Sequence, residues 1–123
     1  MPDAPGLHHL ALGADDVESL AHFYSEVVGL PEVRRHHFDD GSLRSIWLRL
    51  GGGVLMVEPA EQARREVPHH SSGLFLLAFK MSADRRAVIE SALEPESRTE
   101  HTSYFRDPEG NRFAISDYPL AEH

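Results

Sequence analysis

His9 and Glu58 are the residues of this chain whose types and positions most invite chemistry. His9 lies in the run GLHHLALG, and Glu58 ends the run VLMVE. An imidazole and a carboxylate can hold a divalent ion, move a proton, or simply hydrogen-bond to one another in a pocket. Both runs read as strands, along which side chains alternate faces. Leu7, His9 and Ala11 then share one side, with His8, Leu10 and Leu12 on the other. Val54, Met56 and Glu58 likewise oppose Leu55 and Val57. The larger aliphatics of the first strand are expected to pack on a helix, which leaves His9 and Glu58 on the open side. A carboxylate closing an apolar strand is costly unless it is paired or bound to metal, which makes Glu58 the candidate catalytic group.

Two protein ligands rarely define a tight site, because catalytic zinc usually keeps three. His101 is the best third candidate, followed by His36 or His37. The doublets His36-His37 and His69-His70 point their members oppositely if extended, so neither chelates by itself. His22 falls off the apolar stripe of its helix and reads as exposed. Trp47 and Arg49 share a strand face opposite Ile46, Leu48 and Leu50. If that face is open, Trp47 supplies a stacking wall and Arg49 an anion-binding fork; a surface ion pair is the plainer role for Arg49. Met56 lines the same side as Glu58.

The elements that position these residues follow in a readable order. Leu7–Leu12 is a strand, and Asp15 is expected to cap a helix with Glu18 as its capping-box partner. Val17, Leu20, Tyr24, Val27 and Val28 form its apolar stripe, and Gly29 suits a left-handed stop. A strand over Val33–Phe38 and a turn at Asp40-Gly41 lead to a hairpin of Ser45–Leu50 and Val54–Glu58. Leu74–Met81 begins the scheme again. Ser82 caps a second helix to about Leu93, with Ala87, Val88 and Ala92 expected to face inward. Thr102–Phe105 and Arg112–Ser116 then flank the turn Asp107-Pro108-Glu109-Gly110.

The order β-α-β-β-β therefore occurs twice, in a single domain over 1–123: module one about 7–58, a linker about 59–73, and module two about 74–118. The fold class is α+β, two βαβββ modules forming cupped mixed sheets with helices on the outer face. HLAL…DDVESLAHFYSEVVGLP followed by FRDPEGNRFAI resembles the vicinal-oxygen-chelate superfamily, which includes glyoxalase I, extradiol dioxygenases, fosfomycin-resistance enzymes and bleomycin-resistance proteins. The resemblance covers nearly the whole chain and is weakest at 59–73. It implies a cavity between the paired modules and a homodimer. In metalloenzymes of this kind, His or Glu from the first and last strand of each module holds one divalent metal. His9 matches the first of those positions and Glu58 the second, with one residue of slack against Met56. The third falls on Leu76 and the fourth on Ala114, neither of which can ligate. Leu76, Ala78 and Ala114 would form an apolar wall, with Tyr104 a further lining residue and Lys80 at the rim.

Composition narrows the classes. The 123 residues carry 12 Lys and Arg against 20 Asp and Glu, a net charge of −8. That disfavours nonspecific nucleic-acid binding and is compatible with a cationic ligand. The absence of cysteine removes disulfides, thiolate catalysis and thiolate metal sites. Neither an export signal nor a membrane-spanning run is expected, which makes a cytoplasmic setting the default. Three functions follow. The first is a small-molecule-binding protein of the glyoxalase/bleomycin-resistance type. The second is a lyase, isomerase or dioxygenase using Zn, Ni, Mn or Fe on His9 and Glu58 plus a ligand such as His101. The third is a structural or interaction module.

Overall fold

Asp16, not Asp15, opens the first helix: its backbone is extended and its carboxylate accepts the Ser19 amide at 3.0 Å. The capping position thus falls one residue later than expected. Helix α1 runs Val17–His22 and continues as a wider π-helical stretch, Phe23–Val28, ended by Gly29 with φ 99°. Val17, Leu20, Tyr24 and Val28 of the expected stripe are buried, Val27 is half-buried, and Ala21 joins them inside. The computed structural model describes residues 4–62, 67–68 and 70–120.

The first unit, residues 1–64, contains β1 (His9–Ala14), α1, β2 (Glu32–His37), β3 (Leu43–Leu50) and β4 (Gly53–Pro59). The sheet order is β1-β4-β3-β2, with β1 parallel to β4 and the other pairs antiparallel. Helix α1 packs on the face that carries Ile46, Leu48, Leu55 and Val57, all completely buried. Arg35 of β2 reaches the same side, where it pairs with Glu18 of α1 and, at 3.0 Å, with Glu32. These partners hold the Glu18 carboxyl below its usual range and keep the guanidinium charged.

The second unit, residues 65–123, repeats the order with β5 (Leu77–Lys80), α2 (Ala83–Ala92), β6 (Ser97–Arg98), β7 (Thr102–Arg106) and β8 (Arg112–Ser116). Its sheet runs β5-β8-β7-β6, with β5 parallel to β8. The fold class is therefore α+β with two βαβββ modules. Ser82 caps α2 through the Arg85 amide at 3.1 Å. The inward face of α2 differs from expectation: Arg86 and Ile89 are buried, Ala87 and Ala92 are exposed, and Val88 is 64% exposed. Arg86 can go inside because its charge is fully met there. Nε donates to Ser103 Oγ at 3.0 Å, the two Nη atoms to the Glu100 and Thr99 carbonyls at 2.7 and 3.0 Å, and Asp117 and Glu90 lie at 3.4 and 3.5 Å.

The DPEGN turn is structural. Asp107 accepts the amides of Glu109 and Asn111 at 2.9 Å, and Gly110 takes φ 88°. Gly53 is required for another reason. A Cβ there would lie 2.4 Å from the Leu7 carbonyl oxygen and 2.5 Å from that of His8, while the next amide, Val54 N, bonds His8 O at 2.9 Å. Gly53→Ala is expected to lower unfolding free energy by roughly 1–3 kcal/mol through this backbone clash; urea denaturation that finds no loss would show that β1 yields freely.

Candidate functional site

Burial along β1 alternates as parity requires: His9, Ala11 and Gly13 are exposed, while Leu10 and Leu12 are half-buried and Ala14 is buried. Along β4, Leu55 and Val57 turn to the helix, and Met56 and Glu58 are half-buried on the other side. Both candidate residues thus lie on the face away from α1. Register then separates them. His9 pairs with Val54, Ala11 with Met56, and Gly13 with Glu58. Four residues of strand at about 3.3 Å each place His9 and Glu58 some ~13 Å apart along the sheet, with Met56 between them. As arranged they do not share one coordination sphere. His9 instead meets His8, Nδ1 to Nδ1 at 2.9 Å.

What Glu58 does meet is the far end of β2 and β3. His36 pairs with Ser45, and continuing the β3–β4 register beyond Ile46↔Val57 brings Ser45 opposite Glu58. Trp47 pairs with both Arg34 and Met56 in the next row. His36, Arg44, Ser45, Trp47, Met56 and Glu58 line a cavity of about 190 Å³. The His36 and Trp47 rings sit 4.7 Å apart at 55°, and Trp47 Nε1 donates to Ser45 Oγ at 3.1 Å. His36 Nε2 is buried and has no hydrogen-bond partner. One end of the cavity is therefore polar, with a free imidazole nitrogen and a carboxylate, and its body is Trp47 and Met56.

Two pocket residues escaped sequence reading for one reason. The β2–β3 register shifts between His36 and His37, skipping Arg44, so the bulged Arg44 joins a face that strict alternation denies it. His36 was considered only as a spare ligand; its Ser45 partner could not be read without the register. Arg49 stands in register with Val54 and is exposed, outside this cavity.

In the second unit, Ala78, Ala114 and Tyr104 fall in one row across β5, β8 and β7, and Lys80 pairs with Ser116. Leu76 precedes β5 and is half-buried. Ala78, Lys80 and Ser116, with Phe79, Tyr118 and Leu120, line a second cavity of about 200 Å³. His101 lies between β6 and β7, where Nδ1 meets Asp117 at 2.7 Å and the ring packs edge-on to Tyr118. His70 is exposed and lies 5.3 Å from the Phe75 ring; His69 falls outside the described residues. Among the described residues no group of three or more His, Asp or Glu side chains converges as a metal site needs.

The sequence of residues 6–115 matches the family model described as Glyoxalase/Bleomycin resistance protein/Dioxygenase superfamily. No curated protein matches the sequence. Solved structures do resemble it. A lactoylglutathione lyase from Agrobacterium tumefaciens is 23% identical, covering 94% of this chain and 95% of that one with a TM-score of 0.63. The oxidase ChaP-H2 is 18% identical, with 98% of each chain covered and a TM-score of 0.75. The fosfomycin resistance protein FosX from Listeria monocytogenes, in complex with Mn(II) and dihydroxypropylphosphonic acid, is 15% identical, with 96% of each chain covered and a TM-score of 0.70. At these identities the likeness is one of fold.

The His101–Asp117 contact predicts a pH dependence. Asp117 is held below the usual carboxylate range, first by its hydrogen bond to His101 and then by Arg86. A depressed carboxyl pKa stabilises the fold fully above the unfolded value of about 4 and loses that contribution as pH falls through the lower folded value. Asp117→Asn is expected to flatten the acid limb of the stability curve below about pH 4; identical acid limbs in urea titrations of both proteins would exclude the contribution.

Proposed function

The chain belongs to the Glyoxalase/Bleomycin resistance protein/Dioxygenase superfamily, and from that premise we propose that it binds a small, partly aromatic molecule on the first sheet without a resident metal. The observation that carries this reading is the cavity itself, an aromatic and thioether wall with one unpartnered polar end. Few convergent polar groups in a mostly apolar hollow are the usual anatomy of a small-molecule site. A planar ring stacks on Trp47 beside Met56, and a polar substituent takes a hydrogen bond from or to His36 Nε2 while Glu58 accepts a donor. Such contacts favour binding by burying ring surface and by satisfying a polar atom that is otherwise buried alone. Tyr104, Ala78, Ala114 and Leu76 are proposed separately as apolar ligand contacts of the second unit. A homodimer and a cytoplasmic setting complete it.

The divalent centre of the metalloenzymes fits poorly with the donors present. His9 and Glu58 are set apart by the β1–β4 register, and His101 is already engaged by Asp117. Adding Zn, Ni, Mn or Fe to purified protein is therefore expected to give no stoichiometric binding by elemental analysis and no rise in melting temperature. A bound ion lost in both His9→Ala and Glu58→Ala would overturn the metal-free reading in favour of the metal-dependent enzyme.

Trp47 is the only tryptophan, so its emission reports on this cavity alone. A panel of small cationic, neutral and anionic aromatics is expected to include compounds that change it saturably. Trp47→Ala is expected to weaken those compounds by about tenfold in calorimetry, the ~1.4 kcal/mol that a lost aromatic contact is worth. If no panel member alters Trp47 emission or the melting temperature, the binding reading fails and the interaction module takes its place.

A further inference from the structure

Among its described residues the second unit buries two arginines, and they are satisfied very differently. Arg86 is 5% exposed and Arg112 is 7% exposed. Every polar atom of Arg86 has an acceptor, as described above. Arg112 differs: its guanidinium carbon lies 4.3 Å over the Tyr104 ring, and its buried Nε has no hydrogen-bond partner among the described residues. Arg86, Arg98 and Arg106 of this unit each have an ion pair, and among the described residues none is found for Arg112. Arg112 starts β8 on the face away from α2, directly opposite Arg106 of β7, with Ala114 next along that face and Ala78 beside it. Arg106 is itself occupied, by Glu96 at 3.3 Å and by the Val67 and Gly110 carbonyls at 2.9 and 3.0 Å.

A desolvated cation without an anion costs several kcal/mol, and two like charges opposite one another on a sheet add to that cost. Stacking on Tyr104 offsets roughly 2 kcal/mol of that and leaves Nε without an acceptor. Stacking also holds the planar fork in one orientation, which is what bidentate recognition of an oxyanion requires. We propose that Arg112, held on Tyr104, is an anion-binding site for a carboxylate or phosphoryl group of a small molecule. The proposal stands whether or not the Trp47 cavity binds its own ligand.

The test is thermal and calorimetric titration of the full chain with inorganic phosphate and with benzoate, against chloride at equal ionic strength. Both oxyanions are expected to raise the melting temperature in the millimolar range by mass action, and chloride is not. Arg112→Met, which removes the charge and keeps the length, is expected to abolish the oxyanion effect while being no less stable than the parent without anion. Arg112→Lys retains charge without the fork and is expected to bind at least tenfold more weakly; it carries the test alone if Arg112→Met does not fold. Stronger response to phosphate than to benzoate assigns the phosphoryl source, and the reverse assigns the carboxylate. An oxyanion effect that persists in Arg112→Met overturns the proposal, as does a parent protein indifferent to both anions. A marked loss of stability in Arg112→Met with no anion response would make the Arg112–Tyr104 stack purely structural.

Discussion

Parallel pairing of the first and last strand of each module is the constraint on which the rest depends. In the first unit the pairing begins where the His8 carbonyl accepts the Val54 amide and the Leu7 and His8 carbonyls crowd the space a Cβ on Gly53 would fill, an approach that only glycine permits. Once that contact is made, every later pair is counted out from it. His9 must face Val54, Ala11 must face Met56, and Glu58 must face Gly13. The contact therefore separates His9 from Glu58 and delivers Glu58 to Ser45 and His36. A shift of one residue would send each of these side chains to the helix face.

The two modules use this frame for different chemistry. In the first, the face away from α1 gathers a ring, a thioether, an imidazole and a carboxylate. In the second, the corresponding face carries alanines at the centre and cations at the ends, with Lys80 at one strand end and Arg112 and Arg106 at the other. The helix faces differ too. Helix α1 buries an aliphatic and aromatic stripe, whereas α2 buries Arg86 and binds the 99–100 turn and Asp117 through it. The shared fold fixes strand order, and the side chains written onto it fix what each face can bind.

Much of this was legible in the sequence, and the division follows the physics. Alternation in GLHHLALG and VLMVE assigns His9 and Glu58 to one face because strand period is a local property. The paired βαβββ order and the DPEGN turn are local too. Register is not local: it comes from Gly53 meeting Leu7 and His8 across more than forty residues of chain, and the proximity of His9 and Glu58 hung on it. The bulge that turns Arg44 into the cavity leaves no mark on the alternation of SLRSIWLRL. Arg86 escaped because a charged side chain enters the interior only when distant carbonyls and carboxylates are assembled to receive it.

Arg86 and Arg112 sharpen the same point from opposite sides. Both are arginines of one small unit, Arg86 on α2 and Arg112 on β8, and both are almost wholly withdrawn from solvent. The chain commits two backbone carbonyls, a serine and two carboxylates to the first. Among the described residues it commits to the second the face of a tyrosine. A fold that can satisfy one buried guanidinium so fully in the same unit has no general difficulty in doing so. Replacing an unpaired buried cation by an apolar side chain of similar length would, on stability alone, be neutral or favourable. The proposed anion site gives that cation a partner from outside the chain.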